Sequence, residues 1–198
     1  MNRLEAFFSD IDRGWPDQPE RKVELSLIGC GALMLQADYE RGTKDSDIFE
    51  TLSLTKDIQA QLISLAGKET LLHARHKIYI DVVASGIPFL PMAPRWNPTS
   101  SLNATLSKLE LRVLDVVDVV VSKLKRFSAN DLADIDAMIQ RGLVPHGLLL
   151  ERFRSAFDEL SFDARAADLP RYVEHLHQVE RDMFAEDETE IDLSRLRY

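Results

Sequence analysis

The sequence predicts an α/β (α+β) fold, with a strand-rich first half and a C-terminal helical region. Three observations lead there. Short alternating or β-branched runs cluster between residues 23 and 113. Capped stretches of helical spacing lie between them. After residue 115 only helical spacing recurs. The expected organisation is a core over residues 1–114 and a helical region over 115–198 packed on it.

The elements follow in order. Leu4, Phe7, Phe8 and Ile11 share one face of a short N-terminal helix, which Gly14-Trp15-Pro16-Asp17-Gln18-Pro19 breaks. Val23 to Ile28 alternates and runs into glycine, a strand; Ala32 to Ala37 reads as helical, and Asp45 to Leu54 as a second strand. Thr55 caps a helix through Leu65 that Gly67 ends. Lys77 to Ala84 is a strand rich in β-branched and aromatic residues. Pro88 to Pro98 holds four prolines in eleven residues and must be a loop or an extended edge. Lys108 to Val113 alternates as a half-buried strand. Asp115 caps a helix from Val116 to Phe127; Ser128 caps another from Ala129 to Gln140, stopped by Gly142. Helical spacing returns over Pro145 to Leu160 and Leu169 to Ala185, before an acidic, solvated tail from Glu186 to Asp192.

Composition narrows the function. Apolar residues at 45% and charged residues at 29% belong to a globular chain able to bury its own core. No apolar run is long enough for a spanning helix, so no membrane association is expected. Met1 to Asp12 contains acidic residues and no long apolar run, which speaks against a secretory leader. The single cysteine, Cys30, cannot form an internal disulfide, and a cytoplasmic location is expected. A formal net charge of -9 argues against a broad nucleic-acid coat but leaves room for one local contact with RNA.

The informative segment is Leu27-Ile28-Gly29-Cys30-Gly31-Ala32-Leu33, followed by Arg41-Gly42-Thr43-Lys44-Asp45-Ser46-Asp47-Ile48. With 33 acidic residues in 198, about five acid-x-acid pairs arise by chance, and Asp10/Asp12 and Asp134/Asp136 are of that kind. Asp45 and Asp47 differ in context. They open a strand after a cationic turn, and residues two apart on a strand share a face. Carboxylates held that close repel unless a cation lies between them, and hard oxygen ligands suit Mg²⁺. Asp81 interrupts the apolar run Ile78-Tyr79-Ile80-Asp81-Val82-Val83, and it faces the pair if the two strands are neighbours. Gly29 and Gly31 flank a strand-to-helix junction, where glycine permits close approach of a phosphate to a helix N-terminus. Cys30 between them packs inward as a small hydrophobe.

Together these pieces resemble the nucleotidyltransferase superfamily typified by DNA polymerase β, and its small bacterial members, some of them toxin–antitoxin-associated, most of all. The matching pieces are Gly29-Cys30-Gly31, the run Arg41 to Asp47, Asp81, Val121-Ser122-Lys123-Leu124-Lys125-Arg126, and Asn130 to Ile135. The family turn more often carries adjacent small residues where Cys30 separates two glycines. The resemblance implies a small mixed β-sheet with helices, carboxylates at one edge, and transfer of a nucleoside monophosphate from an NTP to a hydroxyl acceptor.

By that resemblance Asp45, Asp47 and Asp81 are catalytic and bind Mg²⁺, one or two ions. Gly29, Gly31, Lys44 and Lys123 bind the nucleotide. The acceptor is a tRNA 3′ end, a protein side chain or a small molecule, and a cognate toxin or antitoxin protein is an expected partner. Asp131 and Asp134 lie on one helical face and are expected to pair with Lys123 or Arg126. Lys125 and Arg126 are placed for an RNA acceptor or for a solvated face. His73 and His76 have no evident partners, and His175 and His177 face different ways. Trp15 and Trp96 are candidates for stacking on a base, with core packing the commoner use. Two other functions compete: an inactive, antitoxin-like regulatory partner that keeps the fold, and a nuclease or phosphohydrolase using the same acids. The mutually repelling carboxylates argue against the first. The glycine turn and Lys123 suit an intact triphosphate better than the second.

Overall fold

The computed structural model describes residues 2–16, 21–37 and 39–195. These form two compact units, one of residues 1–87 with 96–115 and one of 88–95 with 116–198.

The first unit is built on a mixed sheet of β1 (Val23–Leu27), β2 (Asp45–Phe49), β3 (Tyr79–Val83), β4 (Trp96–Pro98) and β5 (Leu109–Leu114), in the order β3-β2-β1-β5-β4. β1 runs antiparallel to β2 and parallel to β5; β2 and β3 are parallel, and β4 is an antiparallel edge. Cross-strand partners share a face, so the register assigns every side chain to one of two sides. One side carries Val23, Leu25, Leu27, Ile48, Ile80, Leu109, Leu111 and Val113, all buried. The other carries Glu24, Ser26, Asp45, Asp47, Phe49, Asp81, Trp96 and Arg112.

Helices of this unit are α1 (Arg3–Gly14), α2 (Gly29–Gln36), α3 (Lys56–Ala66), α4 (Leu71–His76) and α5 (Ser100–Asn103). The predicted face of α1 is its buried face: Leu4, Phe7, Phe8 and Ile11 are fully enclosed. The break begins at Trp15 as expected, and residues 17–19 lie outside those described. Asp12 is no chance acid. Its carboxylate accepts the backbone N–H groups of Ser107, Lys108 and Leu109 and ties α1 to the start of β5. Burial pushes its pKa up, and these N–H donors outweigh that and hold it below the ordinary value.

Several boundaries differ from the sequence reading. α2 begins at Gly29 rather than Ala32, because the chain turns at Gly29 with φ +64°. β2 stops at Phe49 and gives way to a turn in which Leu54 N–H meets the Thr51 carbonyl at 3.1 Å. α4 was not expected; Thr70 caps it through the His73 N–H, and left-handed Lys77 ends it, so β3 starts at Tyr79. α3 and its Thr55 cap fall where predicted.

The second unit contains α6 (Val116–Lys123), α7 (Ala129–Gln140), α8 (His146–Leu160) and α9 (Leu169–Val179). Its core includes Val120, Leu124, Ile135, Met138, Leu149, Phe153, Val173 and Leu176. Ser128 and Asp131 form a reciprocal capping box at α7, and Gly142 follows its end at φ +70°. α6 stops at Lys123, short of Phe127. Leu124 N–H tightens onto the Val121 carbonyl at 3.1 Å, and Phe127 is left-handed. α9 likewise ends at Val179 and passes into a wider turn over Glu180–Phe184. Among the described residues no helix is long and apolar enough to cross a membrane.

Candidate active site

The carboxylates share one side of the sheet, toward the β3 edge. β2 and β3 pair in parallel with Asp47 directly opposite Asp81 and Asp45 opposite Tyr79. Alternation puts Asp45 and Asp47 on the same side. Asp45 and Asp81 are exposed and Asp47 is half-buried. Ser46 between them points into the core and is fully buried.

Short-range contacts set each acid. The Thr43 hydroxyl lies 2.9 Å from Asp45 Oδ1, and the Thr43 carbonyl accepts the Arg3 guanidinium at 3.0 Å. The turn before β2 is thus clamped from both sides, and Arg3, Glu40, Arg41 and Gly42 line an open cavity beside it. The Lys44 side chain is exposed, while its carbonyl accepts Tyr79 N–H at 3.0 Å and starts the β2–β3 ladder. The Asp81 carboxylate accepts the N–H of its strand neighbour Val82 at 3.0 Å.

Gly29 completes the arrangement. A Cβ at this position would stand 3.0 Å from Asp47 Oδ2, and φ +64° already disfavours any L side chain. Ile28 N–H donates to the Asp47 carbonyl at 3.0 Å. The Asp47 carboxylate therefore lies at the first residue of α2, where the helix dipole favours negative charge. Ile28 supplies no side-chain cap there. At Gly31 a Cβ would meet Ser46 Oγ at 3.4 Å, so this glycine serves close packing of α2 on β2.

A family model described as a nucleotidyltransferase of unknown function, DUF6036, matches residues 2–178. The chain belongs to this family. No curated protein and no solved structure matches it.

A nucleotidyltransferase of this superfamily implies a divalent metal, and the donor chemistry here fits one. Carboxylate oxygens are the hard ligands Mg²⁺ takes, and the missing Gly29 Cβ leaves room beside Asp47. As the side chains stand, no three His, Cys, Asp or Glu residues among those described are close enough together to hold a metal ion. Asp81 must turn away from the Val82 N–H before the three acids converge.

The other sequence-singled residues of this nucleotidyltransferase are placed as follows. Lys123 lies in the second unit, only 6% exposed, with Nζ 3.2 Å from Asp131 Oδ1 and 2.7 Å from Asp134 Oδ2. Asp131 also accepts Arg126 Nε at 2.7 Å and the Ser128 hydroxyl at 2.7 Å. Burial pushes the Asp131 carboxyl up, yet Arg126, Ser128 and the Lys123 charge outweigh it and hold the group well below the carboxylate range. Lys125 is pushed below the ordinary lysine value by burial and by the nearby Arg165. Cys30 packs inward, and Trp15 is fully enclosed.

His73 and His76 do have partners, and His175 and His177 face different ways as expected. His76 Nε2 stands 2.9 Å from Asp10, which also takes Arg75, and these contacts lower the Asp10 pKa to about 2. His73 Nδ1 accepts the Glu69 N–H at 3.0 Å. His175 stacks on Phe127 and meets the Leu124 carbonyl at 2.6 Å, whereas His177 turns to the Thr189 carbonyl at 3.0 Å. Sequence reading also passed over Thr43 as the residue that positions Asp45; its signal was its place in the cationic turn two residues before the acid.

Proposed function

We propose that the protein moves a nucleoside monophosphate from an NTP to a hydroxyl acceptor in a Mg²⁺-dependent reaction that releases pyrophosphate. The observation that carries this reading is the β2–β3 register, which sets Asp47 across from Asp81 with Asp45 on the same side. The left-handed glycine beside Asp47 supports it.

Asp45, Asp47 and Asp81 would hold the metal, which when bound neutralises phosphate charge and polarises the reacting oxygens. The chain's own groups do the rest. Gly29 and Gly31 let phosphate oxygens approach the backbone of α2. Lys44, exposed beside Asp45, adds positive charge at the mouth. The acceptor oxygen forms a bond to the α-phosphorus, and the bond to the bridging oxygen breaks. The acceptor proton passes to the Asp81 carboxylate. Lys123, already held by Asp131 and Asp134, orders the segment that carries them.

The acceptor is an RNA 3′ end, tRNA included, a protein side chain or a small molecule. A toxin–antitoxin or defence role in the cytoplasm, with a cognate protein partner, belongs to the same proposal. The competing reading is an inactive regulatory partner, favoured by the Asp81 carboxylate being engaged with its own strand.

The test is label transfer. Purified protein, Mg²⁺ and each of the four α-³²P-labelled NTPs are incubated with total RNA or lysate protein, alongside Asp45→Ala/Asp47→Ala. Label in RNA or protein, lost in the variant, supports the transferase and names nucleotide and acceptor class. Equal label with wild type and variant overturns the metal-site assignment.

A further inference from the structure

The side of the sheet that carries the acids also carries an aromatic pair that the reaction chemistry leaves unused. Phe49 lies two residues beyond Asp47 on β2, hence on the same side and about 7 Å further along the strand. Its ring centroid is 5.7 Å from that of Trp96, with a 40° tilt. Trp96 belongs to the edge strand β4 and pairs with Leu114. Both rings are half-buried, on the side that also carries Glu24, Ser26, Arg112 and the acids together with Val83 and Leu114. The Arg112 guanidinium lies 6.0 Å from the Trp96 ring centre and is ion-paired with Glu24 of β1. This steadies the indole from one side. Two rings converge from strands at opposite parts of the sheet, one of them adjacent to Asp47.

We infer that Phe49 and Trp96 form the stacking platform for the base of the incoming NTP. This rests on the transferase reading above. In a nucleotide only the ribose separates the α-phosphate from the base. From a phosphate at Asp45 and Asp47, Phe49 lies one short step along β2, within the reach of a base across its ribose. A planar heteroaromatic ring gains by stacking on such a pair, and the gain tolerates any base because every base has a π-face. Selection among bases then falls to the polar rim, where Arg112 and Glu24 supply a donor fork and an acceptor.

Titration calorimetry in Mg²⁺ with each of the four NTPs, and separately with inorganic tripolyphosphate, tests this. Tripolyphosphate has the charge of the nucleotide and no base. Trp96→Leu and Phe49→Leu each should weaken the best NTP by about tenfold or more, the size of one lost base–aromatic stack. Tripolyphosphate affinity should stay unchanged, and Trp96→Phe should bind near the wild-type level. Equal loss for NTP and tripolyphosphate would mean that the change merely disturbs the sheet and would overturn the platform. Unchanged NTP affinity in both leucine variants would overturn it and leave the transferase reading standing. A raised KM for acceptor RNA with unchanged NTP affinity would assign the platform to the acceptor and overturn it as stated. No binding of either NTP or tripolyphosphate by wild type would fail both readings together.

Discussion

Carboxylates are handled in opposite ways in the two units. In the helical unit the buried Asp118, Asp131 and Asp134 are each matched to a cation of the same unit. Asp118 takes Arg152 at 2.6 Å, and Asp131 and Asp134 share Lys123, with Arg126 added on Asp131. On the sheet, Asp45 and Asp81 stand exposed with a threonine hydroxyl and a backbone N–H as their partners. The first pattern neutralises charge internally so that helices can pack. The second gathers acids on one side of a sheet and is suited to a cation from solution. The difference predicts that the two sets fail differently: removing an acid from the helical unit costs stability, and removing one from the sheet costs function.

The largest effect is expected in the helical unit. Asp134→Ala and Lys123→Ala each strand buried charge and should destabilise the protein by about 3–5 kcal/mol in denaturant unfolding. Asp118→Ala should do the same through Arg152. A loss below about 1 kcal/mol in all three would break the comparison.

Acid pH probes the same matching. The folded Asp131 carboxyl binds its proton more weakly than the unfolded one. Its contribution is therefore fully present above the ordinary carboxylate pKa of about 4 and is lost as pH falls below that value. Unfolding measured from pH 5 to pH 3 should show falling stability, with a shallower fall in Asp131→Asn.

Gly29→Ala sharpens the boundary between the two behaviours. The left-handed backbone should cost about 1–2 kcal/mol, and the new Cβ would crowd Asp47 at 3.0 Å. Stability and activity should drop together, which circular dichroism melting and label transfer would check. The smallest effect on folding belongs to Asp45→Asn. It should alter stability by less than about 1 kcal/mol, the range of a solvent-exposed charge, while label transfer disappears.

Local signals in the sequence carried through to the structure. The Thr55 and Ser128 caps and the buried stripe of α1 depend on residues three or four apart, and all were legible. The Asp45/Asp47 pair was legible for the same reason, through strand alternation. Its juxtaposition with Asp81 depended on β2 and β3 being neighbours, and the register supplies that. Features created by distant partners were not legible. Asp12 reads as a chance acid until the three N–H groups of residues 107–109 meet it. His76 gains its place through Asp10 and the Phe7 ring, both more than sixty positions away, and Phe49 and Trp96 are 47 positions apart. α4 escaped notice because six residues are too few to show a helical period.

Metal binding to the sheet acids is the most direct test. Mn²⁺ titrated against the protein with a non-hydrolysable NTP, followed by electron paramagnetic resonance, reports bound ions without turnover. The account predicts bound Mn²⁺ in wild type and in Asp118→Asn that remains folded, and none in Asp45→Asn/Asp47→Asn, whose unfolding free energy matches wild type. Retained Mn²⁺ in the sheet variant, or none in wild type, would contradict it.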